Sequence, residues 1–318
     1  MLKRSRLNST KKGNQHMKKL LAFLLAAGLL CRCLPAMALD REAWLSPYQY
    51  YYQQLSPEHK AAWERDVENA LGYPRQTKQT KDRRNQALAS MIKTDNPRIF
   101  WIDWIDSNAM LRYDTGANAH YDGMVMADGN TLEMHQLQFA LGIRAAVGEI
   151  EKGLPRNADR KTIVKAVYSW LCKNNTYNNR QTSNFKKNSD PLAFAYQAAH
   201  SAYSAILPGD SYEPVCEGYA CAFKVLCDAL GVPCISVNGS NTYANYHMWN
   251  CVQLENGGWY LVDVTNGDAL GSQAFCLMNA AAAKKYKYTH APYMNSGVNP
   301  SNGYTEGAAF TVPELAVK

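Results

Sequence analysis

Apolar residues along this chain of 318 residues recur at two spacings, and the change from one to the other marks its elements. Helical spacing follows Ser56-Pro57, where Trp63, Val67, Ala70 and Leu71 fall on one face before Gly72 and Pro74 close the helix. The stretch 76–84 is polar and basic and reads as an exposed connection. The Trp-rich run 99–104 and the segment 110–126 read as short strands, with turns at Gly116 and Gly123. Two helices are predicted next, one over 132–152 and one carrying Ile163, Val164, Val167, Trp170 and Leu171 at helical spacing. After a polar loop at 173–190, Ala220, Phe223, Cys227 and Leu230 form one face of a further helix, stopped by Gly231 and Pro233. Alternation then takes over: a strand through 245–252, a turn at Asn256-Gly257-Gly258, and a returning strand from Trp259 to Val264. From Met294 onward Ser, Gly, Asn and Pro are frequent, which predicts a loosely ordered tail. No internal repeat is visible, and the clustered Tyr48, Tyr50, Tyr51 and Tyr52 read as packing residues rather than as a stacking surface.

The amino terminus changes how the composition is read. Met17-Lys18-Lys19 precedes an apolar run of eleven residues, 20–30, and then Leu34-Pro35-Ala36-Met37-Ala38. A basic stretch, an apolar centre and an A-x-A ending form the layout of a secretory signal peptide cut after Ala38, so export is expected. The run is shorter than the roughly 20 apolar residues that a bilayer requires, and Arg32 interrupts it, which argues against a membrane span. Residues 1–38 hold eight of the 34 Lys and Arg and none of the 27 Asp and Glu. Without them the net charge is −1, and no basic footprint for nucleic acid is left.

Seven cysteines lie beyond the leader: Cys172, Cys216, Cys221, Cys227, Cys234, Cys251 and Cys276. An exported protein ordinarily pairs its cysteines, and an odd number leaves at least one thiol over, compatible with a nucleophile plus up to three bridges. Spacings of five, six and seven between Cys216, Cys221, Cys227 and Cys234 contain no C-x-x-C pair, so no zinc site is expected.

The candidate chemistry lies between 212 and 268. Cys216 falls at a helix N-terminus, where unpaired N–H groups and the helix dipole favour a thiolate. Cys221 and Cys227, deeper in that helix, read as buried residues or disulfide halves. His247 sits in one strand of the hairpin and Asp263 at the end of the other. A cysteine at a helix start, followed by a histidine strand and an aspartate strand, is the order that a cysteine triad needs. A two-residue Asn256-Gly257 turn would pair Asn250 with Asp263 and put His247 and Asp263 on opposite faces. A bulge or longer loop, with Gly258 as the site of the extra residue, is therefore required.

C-E-G-Y-A at 216–220, H-M-W-N at 247–250 and W-Y-L-V-D-V-T at 259–265 resemble the cysteine, histidine and aspartate motifs of the transglutaminase-like superfamily. Upstream, Tyr168-Ser169-Trp170-Leu171 through Asn174-Asn175-Thr176-Tyr177-Asn178 is similar to the segment that precedes the family cysteine. Y-Y-Y-Q-Q-L at 50–55 and Asp95-Asn96-Pro97 look like amino-terminal extensions of secreted bacterial members.

The resemblance implies an α+β fold: a papain-like core with its nucleophile helix packed on an antiparallel sheet, preceded by a helical and strand extension. It implies Cys216 as nucleophile, His247 as general base and acid, and Asp263 as the group orienting the imidazole. The Cys216 N–H is the natural oxyanion donor, and Tyr177 is a side-chain partner suggested by the resemblance alone.

The expected division is a signal peptide at 1–38, an extension at 39–155, a catalytic core at 156–293 and a tail at 294–318. No cofactor and no metal are expected, since the acidic runs of calcium-dependent members have no counterpart here. The expected activity is hydrolysis of amide bonds in a protein, peptide or peptidoglycan-peptide substrate, by way of a thioester. Cross-linking transamidation and a non-catalytic wall- or protein-binding module are the alternatives.

Overall fold

The computed structural model describes residues 41–71, 91–101, 110–111, 125–126, 132–180, 191–207, 212–290 and 310–317. The leader, the basic stretch 76–84 and the turns expected at Gly116 and Gly123 lie outside them.

Among the described residues the chain begins with α1 (Arg41–Trp44), α2 (Tyr50–Gln53) and α3 (Pro57–Leu71), the last beginning at the expected proline. A helical turn follows at 91–95. The expected strand at 99–104 is not formed where it is described: 99–101 is a turn in which Ile99, Phe100 and Trp101 are all buried. An alternating strand would have sent Phe100 to the opposite face. Here it packs on Phe139 and Tyr203. β1 (Met110–Leu111) and β2 (Val125–Met126) form a short antiparallel pair.

Helices α4 (Leu132–Glu151), α5 (Arg160–Asn174), α6 (Pro191–Ala199) and α7 (Ala202–Ile206) lead to α8 (Cys216–Ala229). Asp159 caps α5 by accepting from the Thr162 N–H at 2.8 Å, satisfying a donor that the helix start leaves open. Every residue of α8 from Gly218 to Asp228 is buried, so it is the central helix rather than a one-faced surface helix. It ends where expected. Gly231 takes φ +74°, and the Val232 N–H reaches the Cys227 carbonyl at 2.9 Å, the six-to-one bond of a Schellman cap.

β3 (Cys234–Ser240), β4 (His247–Gln253) and β5 (Trp259–Val262) are followed by α9 (Val264–Leu270), α10 (Ala280–Lys285) and β6 (Thr289–His290). The four strands form one antiparallel sheet in the order β5-β4-β3-β6. Both faces are covered. Cys234, Met248, Val252 and Val262 belong to the large apolar cluster shared with α8, and Ile235, Val237, Trp249, Cys251 and Leu261 pack with Phe275 and Met278 in a second cluster.

The large cluster also contains Trp44, Tyr51, Trp63 and Phe100, so the amino-terminal helices share a core with the nucleophile helix. Tyr51 is wholly buried and its hydroxyl donates to the Ser236 carbonyl at 2.7 Å, consistent with packing. The tail departs from expectation over 310–317. Phe310 is buried against Tyr51, the Gln54 side chain brackets the Thr311 backbone, and the Ala316 N–H donates to Trp259 O at 2.8 Å. Composition predicts looseness, but an exposed edge of β5 supplies unpaired backbone groups that this stretch satisfies.

Candidate active site

Cys216 is the first residue of α8, with Val215 as an extended N-cap at φ −93°. Its N–H therefore has no intrahelical acceptor and points toward the space before the helix. The approach to it is pinned on both sides. The Asn178 N–H donates to Pro214 O at 3.0 Å, and the Val215 N–H donates to Ala199 O at 3.0 Å. Gly218 explains the third letter of the C-E-G motif, because a Cβ there would stand 2.5 Å from the Ala199 carbonyl and 2.9 Å from Pro214.

His247 opens β4, and Asp263 follows β5 as the N-cap of α9. The hairpin between them resolves the register problem. Asn250 pairs with Val262 rather than with Asp263, so His247 and Asp263 share a sheet face. The loop has three residues, 255–257, bracketed by the Leu254 N–H donating to Gly258 O at 3.1 Å. The extra residue lies within this loop and not at Gly258, which pairs with Leu254 to close it, and Gly257 takes φ +78°.

The His247 ring is buried and bonded to Asp263. Its Nε2–H donates to Asp263 Oδ2 at 2.7 Å, and the Cys216 thiol stands near enough to the ring to influence its titration. Burial pushes the imidazole pKa down, but its interactions with Asp263 and Cys216 outweigh that and raise it to about 10. Asp263 is held more firmly than a single partner could hold it. Oδ2 also accepts from Asn266 Nδ2 at 2.7 Å and from the Tyr288 hydroxyl at 2.6 Å, while Oδ1 caps α9 through the Asn266 N–H at 2.9 Å. Trp249 lies beside the imidazole, with ring centroids 6.1 Å apart, and Tyr288 meets Trp249 edge-on.

Asn250, the last letter of H-M-W-N, is a buried strut. Its Nδ2 donates to Ala220 O of α8 at 3.0 Å and to Ser236 Oγ at 3.1 Å, fixing helix against sheet. Tyr177 is half-buried, and burial followed by the neighbouring Cys216 raises its pKa, so the phenol stays a donor.

No disulfide joins any of the seven cysteines among the described residues. Burial raises Cys172 and Cys276 to about 12 and also raises Cys251 and Cys227, keeping these four protonated. Among the described residues no group of three or more His, Cys, Asp or Glu is arranged to hold a metal ion, and no helix is long and apolar enough to cross a membrane.

The structure thus brings Cys216, His247 and Asp263 together. Sequence reasoning missed Asn266 and Tyr288. Asn266 was within reach, since an aspartate three residues before a polar residue at a helix start is a capping pattern. Tyr288 comes from 25 residues downstream with no local signal.

Residues 149–264 match the Transglutaminase-like superfamily. Over this segment the fold is transglutaminase-like and papain-like, of mixed α+β class. It is 29% identical over 118 residues to the kyphoscoliosis peptidase of Homo sapiens and to that of Mus musculus, an alignment covering 34% of this chain and 16% of each relative. A solved structure of a TGase superposes with a TM-score of 0.34 at 18% identity, covering 43% of this chain and 34% of that one.

Proposed function

We propose that the protein is an exported thiol-dependent hydrolase that cleaves amide bonds in a protein, peptide or peptidoglycan-peptide substrate. The observation that carries this reading is the imidazole of His247 bonded to Asp263 Oδ2 at 2.7 Å with the Cys216 thiol in its neighbourhood. Such an arrangement supplies a nucleophile, an acid–base group and an orienter for that group. The Cys216 sulfur attacks the carbonyl carbon, and the C–N bond breaks as the imidazolium gives its proton to the departing amine. A thioester remains. Water then attacks it, His247 takes the water proton, and the C–S bond breaks to release a carboxylic acid and regenerate the sulfur nucleophile. The Cys216 N–H and the Tyr177 hydroxyl are the oxyanion donors in this scheme. The match to two proteins called peptidases supports hydrolysis over transfer to a lysine amine. The leader at 1–38 supports export.

The test uses an activated ester and a peptide amide, with mass mapping of the acylated residue. The expected result is a burst, acyl label on Cys216, and hydrolysis exceeding amine transfer when a lysine analogue is present. Dominant amine transfer would replace the hydrolase by a cross-linking enzyme. Absence of turnover, with ligand binding that survives Cys216→Ala, would replace it by a binding module.

A further inference from the structure

The segment that resembles the superfamily begins at 149, yet a lysine from well before it reaches the first turn of the nucleophile helix. Lys93 Nζ lies 2.5 Å from Glu217 Oε1, with the two side chains 6% and 29% exposed, and it also donates to the His200 carbonyl at 3.3 Å. Glu217 is the chain neighbour of Cys216, and successive Cα atoms stand about 3.8 Å apart. A carboxylate at that position opposes negative charge on the sulfur, and a partly buried charge is screened far less than one in open water. We infer that Lys93 is a positioning residue for the reaction, neutralising Glu217 so that the negative form of the Cys216 nucleophile is not opposed by its neighbour. The amino-terminal extension would then supply an electrostatic part of the active site.

His247 of β4, backed by Asp263, and Tyr177 after α5 face the sulfur, while Glu217 is the acidic residue of the first turn of α8. Lys93 acts on the sulfur through Glu217. This inference rests on reading Cys216 as the nucleophile.

The experiment measures the rate of iodoacetamide labelling of Cys216 against pH in the full-length protein, with peptide mapping to confirm the site. Lys93→Met should slow labelling at neutral pH by about three- to tenfold and move the profile to higher pH. Glu217→Gln should move the profile the other way, to lower pH. The double variant should fall back between them, and Lys93→Arg should keep the wild-type profile. Opposite signs in the two single variants are the signature of charge, because a merely structural ion pair would be broken equally by either change. Two slowed single variants would overturn the inference while leaving Cys216 as the nucleophile. A wild type in which another cysteine labels first would overturn both. If Lys93→Met fails to fold, as judged by circular dichroism, the direction taken by Glu217→Gln decides alone.

Discussion

One oxygen of Asp263 accepts from three donors, His247, Asn266 and Tyr288, and the other caps a helix. This carboxylate cannot rotate without breaking several bonds, so the imidazole it orients is fixed before substrate arrives. Unequal costs follow within the trio. Cys216→Ala should abolish acyl-enzyme formation and His247→Ala should come close, while Asp263→Asn should lower the rate by less, because nucleophile and base both remain. The double variant Cys216→Ala with His247→Ala should be hardly worse than either single one, since the members act as a unit. Burst amplitudes with the activated ester measure all four. Titration of the ring gives a second outcome. The His247 pKa is raised from 6.5 to about 10 by Asp263 and Cys216, against the effect of burial. A raised folded pKa contributes stability that is fully present below the unfolded value near 6.5 and is lost as pH rises through 10. Urea unfolding from pH 6 to 10 should therefore show a decline in the wild type that is smaller in Asp263→Asn.

At the scale of the element, α8 is where sequence and site meet. Its amino end carries Cys216, its Gly231 cap turns the chain directly into β3, and Asn250 binds its Ala220 carbonyl to β4. Gly218 is the point at which the α6–α7 corner approaches the first turn of the helix. Gly218→Ala must displace the Ala199 carbonyl, which holds Val215 in the N-cap position. Overpacking of this kind costs on the order of 1–3 kcal/mol. Chemical denaturation should show that loss. Labelling of Cys216 should slow more than the stability change alone would explain, because the N-cap moves with the carbonyl.

Across the whole molecule, the extension is joined to the core by buried polar groups as well as by the shared apolar cluster. Lys224 of α8 is fully buried and donates to Ser46 Oγ and Cys234 O, each at 2.9 Å, and to Asp228 at 3.2 Å. Asp95 accepts from the N–H groups of Tyr51 and Tyr52 at the start of α2. Burial raises its pKa to about 7, although Lys224 and these two N–H groups pull it down. An acid raised in this way contributes stability that is present below pH 4 and lost as pH climbs through 7. Asp95→Asn should remove this carboxyl's share of the decline, read as a urea midpoint that falls less between pH 4 and 7 than in the wild type. A profile unchanged by Asp95→Asn would show that Asp95 is ionised throughout this range.

Much of the core was legible because its determinants are local. The helix 132–151, the start of α3, the stop of α8 at Gly231 and the hairpin strands each follow from periodicity and from glycine or proline, which act on the backbone where they stand. The order of Cys216, His247 and Asp263 was equally plain, and so was the need for an extra loop residue between the two strands. The tertiary structure alone decided the rest. It placed the extra residue in the loop 255–257, turned 99–101 inward as a buried turn, left the seven described cysteines unbridged and brought 310–317 onto the edge of β5. It also brought Tyr288 to Asp263, Lys93 to Glu217 and Ser46 to Lys224. These pairings join residues 25 to 178 positions apart, and no backbone propensity reports them. A buried lysine and an exposed one read the same in sequence, because what separates them is the partner the fold supplies.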